Sequence, residues 1–330
     1  MDAMRIALLG ATGFVGRSAA ADLARRPEVR ELLLVDYDIR SAKRFARTLS
    51  PKCRWSMSDV GREADLGRLL ERIDAVASAV GPGREYDRRV LSTCAACRTP
   101  AAVLGDEALP PEDRREIDGL FRRQGIAAVS GCGLLPGWTE LLAAHFLPAG
   151  EGRTRERFLF CRPDRFGGYA FFRRIVRQAG APALPPPGAP PGAYFAAGTG
   201  VRLGVPSGKA GSLFRRLAGP GPFGAVGREF STALLLWLRR FLSGSPELPA
   251  AAAGLFDPSG KDSATCLVLD LDGRLPGATL AETTIRLAET GESNPGLREL
   301  PEILGREDAR RVAAVGGARI GTGGTGSGPG

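Results

Sequence analysis

Three glycines spaced three apart, Gly10, Gly13 and Gly16, stand in the run IALLGATGFVG at residues 6–16. The apolar residues before them read as a strand and those after them as a helix. A turn of this kind points backbone N–H groups and the positive end of a helix at an anion. Gly10 permits the tight turn, Gly13 leaves room for a pyrophosphate against the backbone, and Gly16 lets the helix pack closely on the strand. Asp36 ends the next apolar run, LLLVD, twenty residues after Gly16, where a carboxylate accepts hydrogen bonds from an adenosine ribose. Together they predict dinucleotide binding by Gly10, Ala11, Thr12, Gly13, Phe14, Val15 and Gly16, with Asp36 at the ribose. The charge of Asp36 repels a 2′-phosphate, so NAD is favoured over NADP. Tyr37 follows where an arginine would favour NADP, although Arg40 stands close enough to meet a phosphate.

Other reactive residue types form weaker patterns. Cys94 and Cys97 make a CxxC inside a helical stretch whose apolar positions Tyr86, Val90, Cys94 and Cys97 share one face, and they read as buried small residues. Cys132 in SGCGLLPG is only a superficial candidate for a thiol nucleophile. The single histidine, His145, lies on the helix LLAAHFL and reads as a core or surface residue rather than its base. No His/Cys cluster has zinc-ligand spacing, so no metal is expected, and six cysteines in 330 residues are too sparse for a disulfide scaffold.

The net charge of +9 is concentrated in one segment. Residues 151–216 hold 12 basic and 3 acidic side chains, whereas residues 1–150 hold 22 and 20. This segment suits an anionic small-molecule substrate, and Arg165, Arg173 and Arg174 in RFGGYAFFRR are its candidate carboxylate ligands, since the guanidinium fork matches a carboxylate. Its aromatics interleave with arginines but equally suit a strand and helix core, so nucleic acid is not the expected partner.

These residues need a scaffold, and the first 150 alternate strand and helix. Strands are expected at 5–9, 31–35, 54–57, 75–80, 101–104 and 126–129. Helices are expected at 14–26, 41–49, 66–73 and 85–97, with another beginning at Pro110–Pro111 and stopping at Gly125. Such alternation predicts an α/β fold, a doubly wound parallel (Rossmann) sheet over residues 1–150. A second, smaller α+β domain is expected over 151–315, with a proline-rich loop at 181–192, and a disordered tail over 316–330. In that second domain, 264–271 and 279–287 read as an antiparallel pair around the Asp272–Gly273 turn. Residues 230–242, interrupted by Arg239 and Arg240, read as a soluble helix. With no signal segment apparent, a cytoplasmic protein without membrane attachment is expected, and a homodimer is allowed.

Several dinucleotide families open with GATGxxG. None of the four tyrosines has a lysine four residues on, which excludes the Tyr-x-x-x-Lys chemistry of the short-chain dehydrogenases. The succession GATGFVG, LLLVDYD, AVASAVGP at 75–82 and IAAVSGCGLLPGWTELLAAH at 126–145 resembles the saccharopine dehydrogenase-like (saccharopine reductase) family over about residues 4–147. Gly81–Pro82 stands at the family's Gly-Pro after the fourth strand, and Gly133 to Thr139 at its G-x-x-PG-x-[ST] turn. The resemblance implies a second α/β domain, a nicotinamide cofactor in a cleft lying against Val80, Gly81 and Pro82, and hydride transfer at a carbon–nitrogen bond of an amino-acid-derived imine or amine. It also marks a departure. The family's Tyr-x-Asp at the end of the fifth strand is here Ala101–Ala102–Val103. Asp106, with Glu107 beside it, is then the first candidate proton donor, Tyr86 the second and Glu140 a weaker one. Two other readings stay open: a dinucleotide-binding sensor or scaffold without turnover, and a carbon–carbon double-bond reductase resembling the trans-acting enoyl reductases.

Overall fold

The computed structural model describes residues 3–147, 155–162, 164–165, 172–173, 182–183, 185–187, 189–190, 193–198, 201–206, 232–234, 248–256, 265–290 and 294–323. The chain begins β1 (Met4–Leu9), α1 (Phe14–Leu23), β2 (Val29–Asp36), α2 (Ile39–Leu49), β3 (Cys53–Met57) and α3 (Glu63–Leu70). It continues β4 (Ala75–Ser78), α4 (Gly83–Ala96), β5 (Ala101–Val103), α5 (Pro111–Gln124), β6 (Ala127–Ser130) and α6 (Trp138–His145). Then come β7 (Glu156–Cys161), β8 (Pro182–Ala183), β9 (Ala193–Gly198), β10 (Val201–Pro206), β11 (Ala251–Phe256) and β12 (Thr265–Asp270). The last described elements are α7 (Leu275–Thr290), β13 (Gly296–Arg298), α8 (Leu300–Ile303), α9 (Arg306–Val315) and β14 (Ala318–Gly323).

Two compact units result: residues 1–137 with 276–305, and residues 138–275 with 306–330. The division therefore falls before residue 150, and the chain returns to the first unit after leaving it. The first unit is built on a parallel sheet of order β13-β6-β5-β4-β1-β2-β3, the doubly wound arrangement. Its central strands are apolar on both faces because helices cover both. Ile6, Ala7, Leu8 and Leu9 of β1 are fully buried, as are Ala75, Val76 and Ala77 of β4. Leu66, Leu70, Val90, Leu91, Cys94, Ile117 and Phe121 complete a core cluster with these strands. Helix α5 starts with Pro111 after Pro110 and stops at Gly125, which takes φ +68°.

The second unit has a mixed sheet, β14-β12-β11-β7-β10-β9-β8, in which β7 and β10 run parallel and the other described pairs antiparallel. Phe158, Phe160, Phe195 and Phe256 form its apolar cluster, with Phe158 and Phe195 edge to face at 6.3 Å. Pro182–Ala183 of the proline-rich loop adds a short strand at the sheet's edge, where a missing N–H is tolerated. Of residues 230–242, Thr232, Ala233 and Leu234 are described and helical, and the remainder lies outside the described residues.

Two expectations are corrected. Residues 279–287 are not a strand but the body of α7, and β12 pairs instead with β11 and β14. The β-branched residues Thr279, Thr283, Thr284 and Ile285 suggest a strand, but the start of the segment decides otherwise. Asp270 receives the N–H groups of Gly273, Arg274 and Leu275 at 2.9, 3.1 and 3.2 Å, which nucleates the helix. Thr284 then returns its hydroxyl to the Leu280 carbonyl, as a mid-helix threonine does. The tail is the second correction: residues 318–323 pair with the whole of β12 rather than being disordered. Among the described residues no helix is long and apolar enough to cross a membrane.

Asp270 is fully buried, and burial pushes its carboxyl up to about 6 against the lowering effect of its backbone hydrogen bonds. Asp270→Ala orphans three N–H groups, and should cost about 1–3 kcal/mol in urea unfolding. Asp270→Asn keeps an acceptor and should recover part of that loss.

Candidate functional site

In the first unit, the turns at the C-terminal ends of β1, β2, β4, β5 and β6 carry most of the residues that the sequence singles out. The glycine turn is set by backbone contact. Gly10 takes φ +72°, and a Cβ there would lie 2.9 Å from the Ala79 oxygen and 3.1 Å from the Val80 nitrogen. Hence the turn after β1 touches the turn after β4. A Cβ on Gly16 would overlap the Gly10 carbonyl oxygen, so α1 approaches the turn as closely as two backbones allow. Gly13 differs: it is exposed, has ordinary φ of −66°, and its Cβ would meet only the Gly10 oxygen at 3.2 Å. Helix α1 starts there without a side-chain cap and with no acidic residue in its first turn. A bare, positive helix end beside an exposed glycine fits a pyrophosphate.

Asp36 is 6% exposed and ties this turn to β2. Its Oδ2 accepts the Thr12 N–H at 2.9 Å and the Thr12 hydroxyl at 2.7 Å, while Oδ1 accepts the Asp38 N–H at 3.2 Å. Val35, just before it, receives the N–H groups of Gly10 and Ala11. Tyr37 is 83% exposed beside it, and Arg40 is exposed at the start of α2, where Asp38 caps the helix. Arg17 stacks over Phe45 and donates to the Thr12 carbonyl, closing the other side. Phe14 and Val15 are half-buried on the first turn of α1.

The turn after β4 runs Val80–Gly81–Pro82 into α4, with a cis Gly81–Pro82 bond. Pro82 is buried and Gly81 exposed. Asp106, on the loop after β5, reaches across to accept the Gly83 N–H at 2.6 Å. Asp87, one turn into α4, faces the same spot: a Cβ on Gly83 would lie 2.5 Å from Asp106 Oδ1 and 2.5 Å from Asp87 Oδ2. Asp87 escaped the sequence reading. Its signal was an acid on the buried face shared with Val90, Leu91 and Cys94. Tyr86 is half-buried and packs against the core cluster.

The loop after β6 completes this edge. Gly131 and Cys132 donate their N–H groups to the Val103 carbonyl. A Cβ on Gly137 would overlap the oxygens of Gly131 and Gly133, so the G-x-x-PG turn closes on itself around Pro136. Cys132 is fully buried, its thiol pushed up to about 12 mainly by burial, and it is a poor nucleophile there. Cys94 is likewise buried, and burial pushes its thiol well above the usual range, in keeping with a packing role.

The remaining candidates belong to the second unit. Glu140 accepts the Thr139 hydroxyl and pairs with Arg157 at 3.2 Å. Arg165 is exposed in the turn after β7, Arg173 lies in a short helical piece, and Arg174 lies outside the described residues.

Residues 6–102 match the family described as the saccharopine dehydrogenase NADP binding domain. Over these residues the first unit is similar to that domain. The match spans β1 to β5 and so includes the glycine turn, Asp36, Val80 to Pro82 and Asp87, but stops short of Asp106. The whole chain shares its fold with solved structures of low identity. One is the apo, histidine-tagged saccharopine dehydrogenase (L-Glu forming) from Saccharomyces cerevisiae, at TM-score 0.60 and 14% identity, covering 98% of this chain and 100% of that one. Another is the dipicolinate-bound dihydrodipicolinate reductase from Paenisporosarcina sp. TG-14, at TM-score 0.50 and 11% identity, covering 92% and 100%. No curated protein matches the chain by sequence.

The second and third glycines of the turn should behave differently on substitution. Gly16→Ala drives a methyl into the Gly10 carbonyl and should cost about 1–3 kcal/mol by thermal unfolding. Gly13→Ala should leave the melting temperature close to that of the parent.

Proposed function

We propose that the chain is an NAD(P)-dependent oxidoreductase that transfers hydride at the carbon–nitrogen bond of a small, amino-acid-derived imine or amine. The observation that carries this is the convergence at one sheet edge of the uncapped glycine turn, the Val80–Gly81–Pro82 turn and the Asp106 carboxyl, within a saccharopine dehydrogenase-like unit. When bound, a nicotinamide dinucleotide supplies or accepts the hydride. Residues 10–16 receive the pyrophosphate on backbone N–H groups, Asp36 takes the ribose, and Val80 to Pro82 form the wall for the ring. Asp36 Oδ1 carries only the longer bond to Asp38, which leaves it able to accept from a ribose hydroxyl. NAD is accordingly the preferred form, with Arg40 and Tyr37 lining the position of a 2′-phosphate.

Asp106 is the proposed proton donor to the substrate nitrogen, in place of the carboxylate that the resembling family carries where Val103 stands. Tyr86, packed against the core, is the lesser candidate. Arg165, Arg173 and Arg174 are proposed to hold substrate carboxylates. The valine at 103 also favours one second reading, a dinucleotide-binding sensor without turnover.

Titration of the full chain with NADH and NADPH, read by energy transfer from tryptophan, tests the proposal. Saturable binding is expected, tighter for NADH. Gly13→Glu should abolish it in a folded protein, because a carboxylate would stand where the pyrophosphate lies. Asp36→Ser should shift preference toward NADPH. Binding unaffected by Gly13→Glu would reject the site. Binding with no cofactor oxidation across amine and carbonyl pairs would favour the sensor.

A further inference from the structure

Asp87 is the least expected group in the first unit. It is 1% exposed, and among the described residues neither of its oxygens has a hydrogen-bond partner. It is not a surface acid that happens to be covered, because it sits four residues after Gly83 on the buried face of α4, beside Val90, Leu91 and Cys94. A buried carboxylate without donors is costly, so such a group either ionises at great expense or keeps its proton.

The surroundings decide between these. The charged groups acting on Asp87 come from the loop after β5 and are Asp106 and Glu107, both of its own sign. Cys132 faces it from the loop after β6. On α5, Asp113 and Glu116 are held by Arg88 on the exposed side of α4. Asp106 has what Asp87 lacks, the Gly83 N–H at the start of α4 at 2.6 Å, which favours a negative charge there. Burial, then Asp106, then Glu107, push the Asp87 carboxyl well above the usual carboxylate range.

We propose that Asp87 and Asp106 act as one carboxyl pair that keeps a proton at neutral pH, with Asp87 as the positioning residue that holds it for Asp106. This rests on the reading of Asp106 as proton donor and answers a difficulty in it. An ordinary aspartate has lost its proton at neutral pH and has none to give. The pair has one, since two close carboxylates in a dry site do not both ionise. The neutral Asp87 and the Asp106 carboxylate flank the same point at Gly83 without a direct hydrogen bond between them. The Asp87 proton passes to Asp106 and from there to an acceptor outside, and water then returns a proton to Asp87.

The sign of the effect on stability follows. The fold disfavours the ionised form of Asp87, so the native state binds more protons than the unfolded chain. Stability therefore falls as pH rises from the ordinary carboxylate range up through the titration of Asp87. An asparagine has no such loss. Asp87→Asn should melt above the parent at neutral pH and match it at acid pH, opposite to the effect expected for a residue kept only for packing.

The direct test is a carbon-13 NMR titration of the full chain labelled at the aspartate carboxyl carbon, with Asp87→Asn and Asp106→Asn assigning the two signals. Asp87 is expected to remain protonated at neutral pH, and its midpoint should fall by about one pH unit or more in Asp106→Asn. Titration of Asp87 in the ordinary range, near about 3.9, overturns the pair. So does a midpoint indifferent to Asp106→Asn. NADH binding measured on the same samples separates the two readings: a retained proton in a protein that binds neither dinucleotide supports the pair and rejects the oxidoreductase.

Discussion

Helix α1 and the end of β1 meet backbone to backbone at Gly16 and Gly10, and no side chain fits between them. This approach fixes the direction of the helix axis, and with it the point at which the uncapped N–H groups of α1 emerge. Asp36 then locks the turn from the β2 side through Thr12, while Ala79 and Val80 press on it from the β4 side. Three neighbouring strands are thereby held in register by one turn of seven residues. A parallel sheet makes this possible because all of its strands end on the same side, so loops far apart in sequence become neighbours.

Much of this was legible in the residues themselves. The strands β1 to β6 and the helices between them follow directly from short apolar runs bounded by glycine and proline, and the boundaries differ by a few residues only. The later part was harder to read for identifiable reasons. α7 carries β-branched residues that pack well on a strand, and its helical state is imposed by a cap, Asp270, which lies outside the segment. β13 is only three residues long, Gly296–Arg298, and owes its place to the Asp118 carboxylate, which accepts the Leu297 N–H at 2.9 Å from α5. Neither influence leaves a local pattern.

The site shows the same division. Glycines whose roles are backbone contacts can be inferred from spacing, because the absence of a side chain is itself the signal. Asp87 could not be assigned in this way, since its meaning depends on the loop after β5 folding over Gly83. What the sequence did offer was an acid in the i, i+3, i+4, i+7 series of an apolar face. Such an exception to a packing pattern is more informative than another conforming residue, since burying it costs free energy that selection must have had reason to tolerate. The thiols of Cys94 and Cys132, by contrast, conform to their surroundings.

The segment 276–305 belongs to the first unit although it follows 138 residues of the second, so the chain passes between the units three times. Gly277 lies against Ser18 and Ala19 of α1, Arg26 pairs with Glu282 at 2.9 Å, and β13 covers β6. A fragment ending at residue 137 would thus retain every residue of the glycine turn yet bare the N–H and C=O groups along β6 and the flank of α1. An open strand edge of that kind recruits other chains. The first unit is not severable by one cut, and its two chain segments must be made, and inherited, together.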